Sequence, residues 1–122
     1  MKKLFMIAMT LLLSGATYDY NPMGAKGRDD YWLCSVVGHT DGSDEKLLPL
    51  SGVFTSPNSD VEKMEDAFEV EANEQLDGNF VSDFPPRCMD FDSVERAQKN
   101  REHQRRLAQE HGYKVIDIDF KY

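Results

Sequence analysis

The stretch from Asp92 to Phe120 limits what this chain can fold into more than any other. A charged segment with helical spacing stops at Gly112, a residue suited to the left-handed turn that closes a helix. The apolar run Tyr113-Lys114-Val115-Ile116-Asp117-Ile118-Asp119-Phe120 follows at once. Strand alternation puts Ile116, Ile118 and Phe120 on one side and Tyr113, Val115, Asp117 and Asp119 on the other. The helix has a thin apolar stripe, Val94, Ala97, Leu107 and Ala108, with Arg101 and Gln104 filling the gap. Such a helix can cover a sheet with one narrow face and must leave the rest in water. Asp92 and Glu95 form a possible capping box at its start.

A similar unit lies upstream, from Ser59 to Phe84. Ser59 and Glu62 are placed to satisfy each other's free amides in a capping box. Val61, Met64, Phe68, Ala72 and Leu76 recur at helical spacing, Gly78 ends the helix, and Asn79–Phe84 reads as a short strand. Pro85-Pro86 stops that ladder and stiffens the approach to Cys88. The two units align loosely ("DVEK" at Asp60–Lys63 with "SVER" at Ser93–Arg96), on too few positions to establish a repeat.

Two strands precede these units. Tyr31–Val37 is apolar on both faces, which suits a central position. Gly38–Glu45 reads as a polar hairpin loop with an Asp41-Gly42 turn. Leu47–Phe54 contains Pro49 and Gly52, so it belongs at an edge or carries a bulge. The order strand, strand, helix, strand, helix, strand predicts an α+β domain over residues 31–122. Its sheet has about four mostly antiparallel strands, with both helices on one face.

Residues 1–16 are set apart. Lys2 and Lys3, the apolar run Leu4–Leu13 and the small residues Ser14-Gly15-Ala16 read as a cleaved signal peptide, with an uncleaved anchor as the alternative, the run being short for a membrane span. Ala16 stands where a lipoprotein would carry its cysteine, so lipidation is not expected. Residues 17–30 read as a flexible lead-in. The mature chain is thus expected to be periplasmic or secreted, with no membrane attachment. Cys34 and Cys88 then read as a disulfide, whose loop of 54 residues contributes roughly 3–4 kcal/mol in the chain-entropy model.

The chain has 14 basic and 22 acidic residues, and without Lys2 and Lys3 its formal net charge is −10. That balance disfavours nucleic acid and anionic lipid. The excess lies before residue 82, with seven carboxylates from Asp60 to Glu74 against Lys63 alone. Glu62, Glu65, Asp66 and Glu69 are the candidate contacts for a basic protein partner. The rival reading is a solvated face that balances a basic second helix beside it.

Chemistry-bearing motifs are sparse. His39, His103 and His111 show no ligand spacing, and His39 alone has carboxylates close in sequence, Asp41 and Asp44. Asp117 and Asp119 diverge across a strand. The Asp41–Glu45 loop lacks the spacing of a calcium-binding hand. No phosphate loop, nucleophile elbow or paired-histidine motif occurs. The expectation is a non-enzymatic protein with no metal or cofactor.

Cys34, Val53-Phe54, Ala67-Phe68, Cys88, the Ala97/Arg101 helix and Gly112-x-x-Val115 together resemble a group of small secreted two-cysteine bacterial proteins of unknown function. The element order is similar to that of SPOR domains, a resemblance that implies binding of cell-wall glycan (peptidoglycan) as the alternative function. No sugar-binding motif can be carried onto a residue of this chain.

Overall fold

A computed structural model describes residues 30–57 and 60–122. The expected signal peptide, the lead-in up to residue 29 and Ser59 lie outside them. Among the described residues the chain forms β1 (Asp30–Ser35), β2 (Gly38–Thr40), β3 (Lys46–Ser51), β4 (Phe54–Ser56), α1 (Val61–Gln75), β5 (Phe80–Ser82), β6 (Arg87–Phe91), α2 (Val94–Glu110) and β7 (Lys114–Ile118). The class is α+β and the sheet is mostly antiparallel. The seven segments make four long ribbons. β1–β2 is central, antiparallel to β3–β4 on one side and to β5–β6 on the other. β7 lies outside β3 and parallel to it.

Each break within a ribbon has a local cause. Trp32 pairs with Phe54 and Ser35 with Leu50, so three steps along β1 face four along its partner. The extra residue sits at Gly52–Val53 and makes a bulge. Of the two alternatives that Pro49 left open, edge or bulge, the ribbon is interior and bulged. The Cys34 amide, without a ladder partner there, donates to Ser51 Oγ at 2.9 Å. On the other side, three steps from Ser35 to Gly38 face five from Ser82 to Arg87. Pro85-Pro86 therefore does not end the ladder; it belongs to a loop out of it, and pairing resumes at Arg87. Gly38 closes this junction, since a Cβ there would run into the Val81 carbonyl oxygen and the Phe80 ring.

The helices do not share a face. Met64, Phe68 and Ala72 of α1 pack on Trp32, Cys34, Phe80 and Ile118. Ala97 of α2 packs with Leu33, Leu50 and Phe91, and Ala108 with Val37, Leu48 and Tyr113. Trp32 and Cys34 alternate with Leu33 along β1, so the two sets occupy opposite sides of the sheet. Handedness explains the correction. β3–β4, β5–β6 and β7 all run the same way. The α1 crossover passes β1–β2 in one direction, and the α2 crossover passes back over it in the other. Right-handed crossovers in opposite directions must lie on opposite faces.

The helix starts also differ from expectation. Asp60 caps α1, accepting from the Lys63 amide at 3.2 Å. Ser93, not Asp92, caps α2, and Asp92 instead binds the Arg96 side chain at 3.3 Å. Val94 is exposed at the overhanging first turn, and Gln104 takes its place in the buried stripe, bonding back to Asn100. At the far end Gly112 adopts φ +82° and turns the chain into β7. Phe120 leaves the strand and packs edge-on against Phe54 and Phe68, with centroids 5.4 and 5.3 Å away.

Candidate functional site

The Cys34–Cys88 disulfide links directly opposed residues of β1 and β6, with Cα atoms 4.0 Å apart. Closely spaced partners of this kind do not bond to each other in an antiparallel ladder, so their amides point outward. The Cys88 amide donates to Glu65 Oε2 at 3.0 Å. One turn further, Glu69 Oε2 accepts from Ser82 Oγ at 2.5 Å. These two of the four candidate carboxylates thus bind the β5–β6 ribbon, where Glu65 shields an open strand edge.

Glu62 and Asp66 face water. With Val70 and Glu74 they form an exposed line at four-residue spacing, and Val70 is 60% exposed. Lys63 is the single cation of the helix, and it pairs with Asp60. Six carboxylates therefore stand against one cation on α1, whereas α2, across the sheet, carries five basic residues and three acidic ones. The basic helix is not beside the acidic one and cannot balance it as a neighbour would. Val70 and Glu74 were missing from the candidate residues, although their spacing from Glu62 and Asp66 could have revealed them.

On the α2 side, Asp117 accepts from Arg101 at 2.7 Å and from Arg105 at 2.6 Å. Burial alone would raise its carboxyl, but the bonds and charges of Arg105 and then Arg101 hold it below the ordinary value. Such a carboxylate is a weak base. Arg101 also donates to the Ser51 carbonyl at 2.8 Å, tying α2 to the bulge. Two adjoining open depressions of about 310 and 480 Å³ share Val53, Phe54 and Lys121 here, and the larger reaches Asp117 and Asp119.

His39 finds its carboxylate 44 residues away, not at Asp41 or Asp44. Its Nδ1 lies 3.0 Å from Asp83 Oδ1, because Gly38 pairs with Ser82. Tyr113 is close by, its hydroxyl pushed up by burial and then by the Asp83 charge. Lys46 lies 5.5 Å from the centre of the Tyr113 ring. An Asp-oriented imidazole can act as a base, yet among the described residues Asp83 is the side-chain partner of His39, and it is not a nucleophile placed for attack. His103 contacts Arg106, and His111 bonds the Leu107 carbonyl. Among the described residues no group of three or more His, Cys, Asp or Glu side chains could hold a metal ion, and no helix is long and apolar enough to cross a membrane. The disulfide is compatible with a periplasmic or extracellular location.

No family model, no curated protein and no solved structure matches this chain.

Proposed function

We propose that this is an exported, non-enzymatic binding protein that engages a basic protein partner through the outer line of α1. Glu62, Asp66 and Glu74 provide the charge, and Val70 provides an apolar contact among them. The observation that carries the reading is the separation of the two helices by the sheet. It removes the cationic neighbour that would make the acidic face a matter of internal balance. Export rests on the basic, apolar and small-residue order of residues 1–16, together with a disulfide that an oxidising compartment would maintain.

The test is affinity capture from periplasmic extract by the mature chain, in parallel with titration of an oligolysine probe. A cationic partner captured at low salt and released as salt rises is the expected result, because opposite-charge steering is screened. The Glu62→Gln/Asp66→Asn/Glu74→Gln variant should lose capture, and Val70→Ser should weaken it at constant salt. Salt-independent capture, or full retention by the triple variant, would overturn the reading.

A further inference from the structure

Asp30 and Asp90 are buried, at 7% and 8% exposure, on the α1 side of the sheet. Trp32 pairs with Asp90, so Asp30 and Asp90 are diagonal neighbours on that side. Two ionised carboxylates buried side by side repel, so the pair favours holding one proton between them. Burial, then the bond to Asp30 and its charge, push Asp90 up to about 7 against the opposing pull of a backbone bond.

Among the described residues, the surroundings hold little that could keep both groups ionised. From β4 come Phe54 and Ser56, both uncharged. At the strand end Asp92 is engaged by Arg96. Glu69 at Ser82 and Glu65 at Cys88 fix the direction of α1 along the β5–β6 ribbon, so its first turn, Asp60 to Lys63, comes next toward Asp90. That turn and Glu65 bring three more carboxylates (Asp60, Glu62 and Glu65) and one cation, Lys63, which is paired with Asp60.

We propose that Asp30 and Asp90 form a proton-operated latch between the start of β1 and the end of β6. With the shared proton in place the two strand ends are tied together. Its loss in mildly alkaline solution leaves two buried like charges that drive the Asp30 end of β1 off the sheet. The geometry limits the opening. Residue 30 has a ladder partner in β4 but none in β6, where pairing begins at Tyr31–Phe91. The disulfide at Cys34 holds everything beyond it. The moving part is thus Asp30 to Leu33, and it contains the chain's single tryptophan, Trp32, whose indole N–H donates to the Ser56 carbonyl at 3.2 Å.

Trp32 fluorescence therefore reads the latch directly. In the disulfide-bonded protein, emission should shift to the red between about pH 6 and 8.5 in a one-proton transition centred near the value for Asp90. Amide exchange at residues 31–33, corrected for its intrinsic pH dependence, should rise with the same midpoint. Asp90→Asn keeps the hydrogen bond without the charge, and the transition should disappear. Asp30→Asn removes a charge that raises Asp90, and the midpoint should fall. Because the folded carboxyl binds its proton more tightly than the unfolded one, its stabilising effect is complete below about pH 4 and is lost as pH rises toward 7. The wild-type urea midpoint should fall across that window relative to Asp90→Asn. Should Asp90→Asn fail to fold, the infrared band of a protonated carboxyl in the wild type decides, present at about pH 6 and absent at about pH 8.5. An unchanged transition in Asp90→Asn, or no transition and no protonated band in the wild type, would overturn the proposal.

Discussion

Neutralising the acidic helix should have two separable consequences, depending on which carboxylates are removed. Glu65 and Glu69 satisfy the Cys88 amide and the Ser82 hydroxyl. Both bonds are charge-assisted and both are part-buried, so each is worth about 1–2 kcal/mol, the lower half of the range for hydrogen bonds to charged groups. Glu65→Ala/Glu69→Ala should therefore destabilise the fold by roughly 2–4 kcal/mol. Glu62→Ala/Asp66→Ala removes groups that face water and should stay within about 0.5 kcal/mol per residue, including the loss of Glu62 from the first turn of the helix. Urea unfolding followed by Trp32 fluorescence near pH 6 measures both. With a denaturant slope of about 1–2 kcal/mol/M, the first pair shifts the midpoint by roughly 1–4 M and the second by at most about 0.5–1 M. Partner capture should show the reverse order once the fold is intact. Equal destabilisation by the two pairs, or a neutral effect of removing Glu65 and Glu69, would refute the division of the helix into a packed side and a docking side.

Two further expectations concern the centre of the sheet. Cys34→Ala/Cys88→Ala should lower the unfolding free energy by about 4 kcal/mol through the denatured chain, since the bridge spans 54 residues while the β1–β6 pairing from Tyr31 to Ser35 remains; a change below about 1 kcal/mol in urea unfolding would contradict this. Ser51→Ala should cost about 1–3 kcal/mol despite the small change in size, because it leaves the buried Cys34 amide at the bulge without its acceptor. Ser51→Thr, which retains the hydroxyl, should recover part of the loss if the bond is the cause.

Local chemistry is what the sequence conveys well. Gly112 announces the turn into β7 because few other residues adopt its backbone conformation. Met64, Phe68 and Ala72 announce the buried side of α1 because helical spacing is a property of the helix itself. The disulfide was legible from two cysteines and the expected export, and the order of strands and helices along the chain from the alternation of patterns. Partners far apart in the chain were not legible. Asp83 reaches His39, Asp30 reaches Asp90, and Glu65 reaches Cys88 only through pairing register, which depends on the loop at Pro85-Pro86 between β5 and β6. A register moved by one residue would have sent each of these side chains to the other face.

The sequence by itself determined which segments are helices, which faces of them are greasy, where they stop, and that α1 is strongly acidic. Tertiary structure alone decided that the sheet stands between the acidic helix and the basic one. Crossover handedness is a property of the whole path through the sheet, and no local pattern encodes it. That one choice changes Glu62, Asp66, Val70 and Glu74 from half of a balanced pair of helices into an acidic surface that the basic helix does not adjoin.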